Sequence, residues 1–446
     1  MSFDFLVIGS GISGLVTSFW LKKRGLDVCV FEKEKEVGGS IKTVKKDGFL
    51  VELGPNTVLD NTPYLKEIVE TLNIEDSLIY AKKINKKRYI FKDGRLIPLP
   101  SNPFNFFFSP IFSLKSKLKI FKEPFIERAE KEETIAEFAR RRLGEEVLNF
   151  AVGPFVSGVY AGDPERLSVQ WATKKIYALE KNYGSLIKGA IAKRKGPSPS
   201  KGLFSFKNGL FELVENLKNF NGNIYLETEA EEIIPLNGKY KVIGKRNDKK
   251  IEIETKGVVI TGDSISQWKI LKKLDESCPL NDIPYAGVVI LGIGYKGGDV
   301  GHKLDGFGFL IPQIYGKKLL GCLFSSSLFD GRAPYGYVLL TCFLGGALHQ
   351  EVLNLKEDEI LNYTLNELNP ILDIKGSPAF YLMKKWERAI PQYNIGHRKY
   401  IEWRKNFYEK FKNIYISGNI LDGISVADCI TNSTELAKNI LNNLSI

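Results

Sequence analysis

The chain has 446 residues, too many for one simple core, so we expect two or three domains. Its hydrophobic content of 43% is ordinary for a globular protein, and its net charge of +11 suits anionic lipid or polycarboxylate substrates. The chain contains no helix-turn-helix, zinc-finger or RNA-binding pattern, so nucleic acid is excluded as the expected partner.

The first segment reads as strand, glycine turn, helix, strand and acid. An apolar strand pattern leads into Gly9-Ser10-Gly11-Ile12-Ser13-Gly14, and a helical pattern then leads to a second strand that ends in Glu32. This βαβ context turns a weak GxGxxG match into a predicted dinucleotide site. Gly11 would let the backbone approach a pyrophosphate, and Glu32 would accept hydrogen bonds from the ribose hydroxyls. A glycine loop in another kind of α/β unit is the alternative.

A second glycine pair indicates which dinucleotide binds. Gly38-Gly39-Ser40 follows the acid directly, and Gly54-Pro55-Asn56-Thr57 comes after another short strand pattern. A plain NAD domain does not need this pair. A flavin enzyme does, because the isoalloxazine ring must be carried onward from the pyrophosphate and held against backbone. The pattern therefore predicts FAD.

The composition changes after a predicted hairpin at residues 86–99, whose turn is Asp93-Gly94. Residues 100–125 interleave phenylalanines with lysines, and helical patterns continue to about residue 195. Rings among lysines suit a membrane interface, where they would meet headgroups and anionic lipid. The same phenylalanines could instead line a substrate cavity or form a helical core, so both interpretations stay open. Residues 193–202 read as a linker.

Strand patterns resume after the linker. Residues 258–262 read as a buried strand that rejoins the first sheet, residues 285–346 are strands interrupted by glycines, and residues 356–368 are helical. From residue 414 the order is strand, a glycine loop that contains Gly418, and a final helix. The N-terminus of that helix would stabilise an anionic reduced flavin.

Cysteines and histidines give no sign of a metal centre. The five cysteines lie mostly in apolar runs without a CxxC pair, which predicts buried, reduced thiols in a reducing compartment. No HExxH, Cys/His cluster or GxSxG elbow occurs, so we predict no metal and no hydrolase triad. The N-terminus has no leader pattern, and no apolar run reaches the roughly 18–20 residues that span a bilayer. We expect a cytoplasmic protein, soluble or peripheral on the inner face of the cell membrane.

Taken together, these motifs resemble the flavin amine-oxidase superfamily and, within it, the oxygen-dependent protoporphyrinogen and coproporphyrinogen oxidase group. The likeness rests on the glycine turn with Glu32, the second glycine pair, and four further segments at residues 154–164, 306–312, 325–346 and 390–397. It extends over essentially the whole chain.

The resemblance implies an α/β fold with three parts. The first is a Rossmann-like FAD-binding domain of the GR2 type, made of residues 1–85, 203–262 and 385–446. The second is a mixed-sheet substrate domain, made of residues 86–99 and 263–384. The third is a helical, membrane-associated insert at residues 100–202.

The resemblance also implies the site residues. The predicted cofactor-binding set is Gly9, Ser10, Gly11, Ile12, Ser13, Gly14, Glu32, Lys33, Gly39, Ser40, Gly54, Pro55, Asn56, Thr57, Ala230, Gly418, Ile424, Ser425 and Val426. The predicted substrate-binding set is Arg88, Phe307, Gly308, Leu310, Leu323 and Phe343. Arg88 would grip a propionate, the two leucines would sandwich a pyrrole ring and Phe343 would stack on another. Cys429 lies outside the motif that attaches flavin covalently, so the FAD is expected to be non-covalent.

The implied reaction is oxidation of protoporphyrinogen IX to protoporphyrin IX in three two-electron cycles, with O2 as acceptor and hydrogen peroxide as product. The cofactor carries the hard step, so we name no catalytic acid or base. Coproporphyrinogen III is the alternative substrate. The apolar pocket residues favour the vinyl groups of protoporphyrinogen, whereas the positive net charge would serve four propionates.

Two further alternatives belong to other functional classes. One is a different flavin oxidase or desaturase, acting on an amine or a carotenoid, and the other is a flavin-binding scaffold without catalysis. A downstream chelatase and a second copy of the chain are the remaining partners that the resemblance admits.

Overall fold

The computed structural model describes residues 1–82, 87–100, 103–193 and 202–444, so most of the predicted linker lies outside the described residues. The strands are, in chain order, β1 (Ser2–Ile8), β2 (Val28–Phe31), β3 (Thr43–Lys46), β4 (Phe49–Glu52), β5 (Val58–Leu59), β6 (Leu78–Tyr80), β7 (Lys87–Lys92), β8 (Arg95–Pro98), β9 (Leu203–Phe206), β10 (Ile224–Tyr225), β11 (Thr228–Leu236), β12 (Lys239–Arg246), β13 (Lys249–Ile260), β14 (Tyr285–Lys296), β15 (Gly306–Leu310), β16 (Leu319–Leu323), β17 (Tyr337–Gly345), β18 (Phe380–Pro391) and β19 (Ile414–Ile416).

The α-helices are, in the same order, α1 (Ile12–Lys23), α2 (Leu65–Thr71), α3 (Pro103–Phe108), α4 (Leu114–Phe121), α5 (Ile135–Arg142), α6 (Glu145–Val147), α7 (Gly153–Tyr160), α8 (Val169–Ala172), α9 (Lys174–Tyr183), α10 (Leu186–Lys193), α11 (Phe211–Asn221), α12 (Ser264–Leu271), α13 (Ser325–Leu328), α14 (Glu357–Leu372), α15 (Arg398–Lys410) and α16 (Val426–Asn443).

The first sheet has the strand order β10-β2-β1-β13-β12-β11, and β19 pairs with the end of β13. Its central pairs are parallel, and every residue of β2 is buried because helices cover both faces. One face packs on α1, α11 and α16, and the other packs on α12 and α15. The predicted return of residues 258–262 is confirmed, since Val258 pairs with Leu6 across β13 and β1.

The second sheet has the order β18-β14-β17-β16-β15-β7-β8. Helix α14 and neighbouring apolar side chains cover one face, while the other face is turned toward β4 and α7. The predicted hairpin at residues 86–99 is confirmed as β7 and β8, and its turn places Asp93 at φ 50° and Gly94 at φ 80°. The α/β fold with two main sheets therefore agrees with the prediction.

The region from residue 103 to 193 is helical, as predicted, and contains a buried ionic cluster. Arg142 is fully buried and pairs with Glu123 at 2.9 Å and with Glu180. Glu123 also accepts hydrogen bonds from the Ser185 hydroxyl and the Leu186 amide. In the part of the chain that the structure describes, no helix is both long and apolar enough to cross a membrane.

Two elements lie in a different unit from the one that the predicted boundaries assign. Helix α12 packs into the core of the first sheet, although residues 263–384 were predicted as substrate domain. Strand β18 pairs along its length with β14 of the second sheet, although the boundary at residues 384 and 385 divides it. The sequence of β18 intersperses lysine, glutamate and arginine among apolar residues, so no strand pattern marks it as one element.

Candidate active site

The predicted dinucleotide turn joins β1 to α1 and depends on two glycines for different reasons. A Cβ on Gly14 would lie 1.9 Å from the Gly9 carbonyl oxygen, so only glycine fits there. Gly9 itself has φ 96° and closes the turn against Thr261. A Cβ on Gly11 would instead enter open space beside the first turn of α1, whose amides lack a side-chain cap. That open space at a helix N-terminus fits a pyrophosphate.

The Glu32 carboxylate is held in place by this turn. One oxygen, Oε2, accepts hydrogen bonds from the Ser10 amide at 2.7 Å and the Ser10 hydroxyl at 2.6 Å. The other, Oε1, accepts one from the Glu34 amide at 2.9 Å. The side chain is buried at 7% exposure, and its carboxylate retains further lone-pair positions for ribose hydroxyls. Sequence reasoning identified Glu32 but not its support of the turn through Ser10.

The second glycine pair lies directly on the first turn. The Gly38 amide donates to the Ser10 carbonyl at 2.8 Å, and Gly38 forms a bridge with Gly11. A Cβ on Gly39 would be 3.4 Å from the Gly11 Cα atom. Gly54 continues the series, because its Cβ would lie 1.8 Å from the Ser40 carbonyl oxygen. The predicted residues Gly39, Ser40 and Gly54 therefore form one continuous backbone surface with the dinucleotide turn.

The segment from Gly54 to Thr57 lies between the two sheets. Trp386 of β18 donates its indole N–H to the Leu53 carbonyl at 2.6 Å, which ties this segment to the second sheet. The Asn56 side chain donates to the Gly54 carbonyl at 3.0 Å. Asn56 and Thr57 border a narrow cavity whose other wall includes Leu323 and Thr341. Predicted cofactor and substrate residues thus share one cavity.

The end of the chain contributes a second turn at the same sheet edge. Gly418, with φ 121°, follows β19 and lies beside the Gly262 carbonyl oxygen at the end of β13. Parallel strands that end together form the crevice in which α/β proteins bind ligands. Helix α16 begins after Ser425, whose hydroxyl caps the helix by accepting from the Asp428 amide at 3.0 Å. Ile424 and Val426, two of the predicted cofactor residues, flank this cap.

Two predicted cofactor residues lie at the periphery of this arrangement. Ala230 is buried in β11 at a bulge, two residues after Thr228, whose amide donates to the Glu32 carbonyl at 2.7 Å. It is therefore close to the acid, as expected for the adenosine side. Lys33 is exposed on the flank, and its ammonium lies 3.1 Å from the Ser266 hydroxyl and 3.7 Å from the Asp263 carboxylate.

Five of the six predicted substrate residues, all except Phe307, lie on one face of the second sheet, in two adjacent cross-strand rows. The first row, from β7 to β18, is Arg88, Gly308, Leu323, Thr341, Gly292 and Leu382. The second row is Ile90, Leu310, Gly321, Phe343, Ile290 and Lys384. Paired residues point to the same side of a sheet, so these side chains form one wall. We call it the substrate wall.

Glycines keep parts of the substrate wall low. Gly308 has φ 143°, and a Cβ there would lie 2.1 Å from the Cys322 carbonyl oxygen. A Cβ on Gly321 would lie 2.9 Å from a Leu310 methyl, and one on Gly158 of α7 would lie 2.7 Å from the same side chain. The side chains of Leu310 and Phe343 therefore project above the backbone of the neighbouring glycines. Sequence reasoning missed Gly158 and Gly321; for Gly321, an isolated glycine within a strand pattern is the signal for such close approach.

Arg88 is exposed, in β7, at the end of the first row of the wall. Its guanidinium carbon is 5.5 Å from the centre of the Phe307 ring, which places Phe307 beside the wall. The neighbouring Lys87 is instead occupied by an ion pair with Asp305 at 2.6 Å. A guanidinium above an aromatic ring keeps its in-plane N–H donors available for a carboxylate.

A buried acid that the sequence did not single out borders the same cavity. Glu52 is 4% exposed, and burial raises its pKa to about 7, against the opposing hydrogen bonds from Thr43 and the Leu210 amide. Arg332, also buried, favours the charged form of Glu52 through its positive charge. Each Glu52 oxygen already has a donor, since Thr43 and Leu210 bind one each. The acid therefore joins β3, β4 and the start of α11.

The chain is similar to known proteins along nearly its whole length. Residues 12–441 match the family model described as flavin containing amine oxidoreductase. Protoporphyrinogen oxidase 2 of Arabidopsis thaliana is 30% identical, over 98% of this chain and 94% of its own length. Coproporphyrinogen III oxidase of Bacillus subtilis is 26% identical, over 95% of each chain.

Solved structures share the fold. A crystal structure from Exiguobacterium sp. 255-15 superposes with a TM-score of 0.83 at 20% identity, over 99% of both chains. Cyclohexylamine oxidase from Brevibacterium oxydans superposes with a TM-score of 0.70 at 14% identity, over the full length of both.

Proposed function

The chain belongs to the flavin-containing amine oxidoreductase family and, within it, to the group of protoporphyrinogen and coproporphyrinogen III oxidases; we propose that it oxidises protoporphyrinogen IX to protoporphyrin IX. FAD is its cofactor and O2 its electron acceptor. The observation that carries this proposal is the substrate wall, where residues scattered from position 88 to position 343 converge opposite the segment that holds Asn56 and Thr57.

The geometry supports a flat, apolar substrate with a carboxylate at one side. Leu310 and Leu323 rise from adjacent rows, and Phe343 stands one strand further along the wall. A tetrapyrrole can lie between these side chains while Arg88 binds a propionate. When bound, FAD supplies a two-electron acceptor that O2 regenerates with release of hydrogen peroxide. The protein positions the methylene bridge and excludes water, and three cycles remove six hydrogens.

Anaerobic mixing of the purified protein with protoporphyrinogen IX tests this function. We expect the visible flavin absorbance to bleach on mixing, because the bound FAD takes up two electrons. Admission of O2 should then restore the flavin band, release hydrogen peroxide and, after three cycles, give porphyrin fluorescence. Protein that holds FAD but is not reduced by either porphyrinogen, while an amine reduces it, would contradict the proposal and favour another oxidase.

Coproporphyrinogen III is the second candidate, and one observation favours it. Lys384 lies in the same cross-strand row as Phe343 at the far end of the wall, and its side chain is exposed. A cation at each end would serve a substrate with propionates on more than one side. A kcat/KM for coproporphyrinogen about tenfold above that for protoporphyrinogen, or ~1.4 kcal/mol, would reverse our preference.

We also propose that α4 contacts an anionic membrane surface. Leu114, Leu118 and Phe121 recur at helical spacing and are 72%, 57% and 53% exposed, and Phe125 beyond the helix is 85% exposed. The lysines of this helix lie among them, a pattern that suits headgroups and anionic lipid. This contact would place the protein in the cytoplasm, on the inner face of the cell membrane.

Co-sedimentation with vesicles that contain anionic lipid tests the membrane contact. Binding at low ionic strength should fall as salt is added, and Leu118→Asp should abolish most of it. Leu236→Asp, at another exposed leucine in the first sheet, should leave binding unchanged. Equal binding by both variants would contradict the proposal.

A homodimer and contact with a downstream chelatase stay predictions. Light scattering measures the first, and co-purification measures the second.

A further inference from the structure

The motif at residues 390–397 has no part in the substrate wall or in the dinucleotide turn. It begins at the end of β18, where the chain leaves the second sheet, and it leads into α15, which packs on the first sheet. Gln392, Tyr393 and His397 of this motif are all buried, at 4%, 1% and 1% exposure. Three buried polar side chains at the junction of two sheets suggest a role in their relative placement.

Tyr393 binds both ends of a short loop at the first sheet. Its hydroxyl donates to the Asn419 carbonyl at 2.5 Å and accepts from the Gly423 amide at 2.9 Å. A phenol has one donor and can accept as well, so one oxygen fixes both backbone groups. The loop lies directly before Ser425, the cap of α16, and therefore sets where the N-terminus of that helix lies.

Tyr393 is itself held from two sides. Its carbonyl accepts from the Ser168 amide at 2.8 Å, which ties it to the helical region. Its ring lies on the His397 imidazole, with centres 4.3 Å apart. Burial lowers the pKa of His397 to about 4, and the nearby Lys174 acts in the same direction, so the imidazole is uncharged at neutral pH.

The preceding residue, Gln392, contacts the helix next to the substrate wall. Gln392 donates from its side-chain amide to the carbonyl of Tyr160 at 2.9 Å, and Tyr160 is the last residue of α7. Helix α7 touches the substrate wall where Gly158 meets Leu310. Two consecutive residues therefore hold two different structures: Tyr393 holds the loop at residues 419–423, and Gln392 holds the helix that covers the substrate wall.

We propose that Gln392 and Tyr393 form a bracket that sets the distance between the flavin and the substrate wall, with Tyr393 as the positioning residue on the cofactor side. The inference rests on the FAD assignment, because the N-terminus of α16 is expected to face the flavin. Without the hydroxyl, the Asn419 carbonyl and the Gly423 amide lose their shared partner and the loop gains alternative positions. The helix end then stabilises negative charge on the ring less well.

Tyr393→Phe tests the cofactor half of the bracket, with Tyr408→Phe as its matched control. Tyr408 also binds an amide and a carbonyl with one hydroxyl, but both belong to Ile416 within β19 and not to the loop. We expect Tyr393→Phe to raise the FAD dissociation constant about tenfold, the loss of one hydrogen-bonding group, and to lower the flavin midpoint potential. Tyr408→Phe should lower the melting temperature while leaving both quantities at wild-type values.

Gln392→Glu tests the other half and remains informative if the tyrosine variant does not fold. A carboxylate cannot donate to the Tyr160 carbonyl, so α7 should move and KM for the porphyrinogen should rise while FAD affinity is unchanged. The bracket is wrong if Tyr393→Phe behaves like Tyr408→Phe, or if Gln392→Glu changes FAD affinity and not KM. The FAD measurements need no porphyrinogen, so failure of the proposed reaction would not be mistaken for failure of the bracket.

Discussion

The dinucleotide turn and the substrate wall are built in opposite ways. The turn is made of backbone, from segments within the first 57 residues that pack so closely that Gly14 and Gly54 leave no room for a Cβ. The wall is made of side chains, and strand register places Arg88 in one row with Leu323 and Leu310 in one row with Phe343. A site made of backbone can be recognised in the sequence, because its close contacts require several glycines near one another. A site made by register uses residues that look like ordinary core.

The largest effect should come from the turn, where two glycines separate folding from binding. Gly14→Ala forces a Cβ to within 1.9 Å of the Gly9 carbonyl, so we expect a loss of about 3 kcal/mol or more in unfolding free energy. Gly11→Ala meets no atom within 4 Å in the protein, so it should fold normally and fail to hold FAD. Urea unfolding and FAD titration of both variants are the measurements.

The reverse outcome would contradict this division of roles. If Gly11→Ala binds FAD as tightly as the wild-type protein, the open space beside α1 does not receive the pyrophosphate. Stable, flavin-loaded Gly14→Ala would show that the turn is less tightly packed than the distances indicate.

On the wall, Arg88→Ala should act on substrate binding alone. We expect KM to rise with little change in kcat, by a factor that corresponds to about 1.5–3 kcal/mol, because a hydrogen bond to a charged propionate is lost. Lys87→Ala is the control, since Lys87 is occupied by Asp305. Steady-state kinetics compare the two, and equal effects would show that general positive charge, not the wall, attracts the substrate.

Phe343→Ala should lower kcat as well as raise KM, because the ring sets the distance from the methylene bridge to the flavin.

Glu32→Ala tests the contribution of one side chain to the cofactor site. We expect FAD binding to weaken by about 1–3 kcal/mol, as ribose contacts and the support of Ser10 are lost together. Glu34→Ala is the matched control, because Glu34 contributes its backbone amide to this network and alanine retains that group. Equilibrium dialysis with FAD is the measurement, and equal affinities in the two variants would remove Glu32 from the site.

The smallest effect concerns pH and the segment that joins the two regions. His397 has a folded-state pKa of about 4, below its ordinary value of 6.5, because burial opposes its charge. The unfolded chain therefore takes up a proton first, and stability falls as pH drops below 6.5. Lys174 and Arg404 oppose the charged form, while Asp422 favours it. We expect a loss of about 1 kcal/mol between pH 7 and pH 5.5 from this group.

His397→Phe should flatten that part of the stability profile, and His349→Phe, at a partly exposed histidine, serves as control. Urea unfolding at the two pH values checks this. An unchanged slope in His397→Phe would mean that other groups govern the acid sensitivity.

The βαβ unit around the glycine turn could be predicted from the sequence because its determinants are local. Gly9, Gly11, Gly14 and Glu32 stand in one βαβ unit, and in the structure Gly39 of the second glycine pair lies against Gly11. The wall residues could be named only through resemblance, because periodicity alone reads Leu310 or Phe343 as core. Contacts that join distant elements left no local signal.

Trp386 and Tyr393 are examples of such contacts. The indole of Trp386 reaches a carbonyl 333 positions earlier in the chain, and the hydroxyl of Tyr393 reaches a loop that follows another helix and strand. Neither side chain differs in type or spacing from an ordinary buried aromatic residue. The boundary within β18 failed for the same reason, since only pairing with β14 identifies that strand as one element.

The order of strands in the first sheet has a consequence for how the protein matures during synthesis. Strand β1 leaves the ribosome first, but its partner β13 begins at Lys249, and β13 receives its neighbour β19 only at Ile414. The glycine turn is thus synthesised more than 200 residues before the sheet edge around it can form. We therefore expect FAD to bind only a nearly finished chain, so that a nascent fragment that ends before β19 captures none.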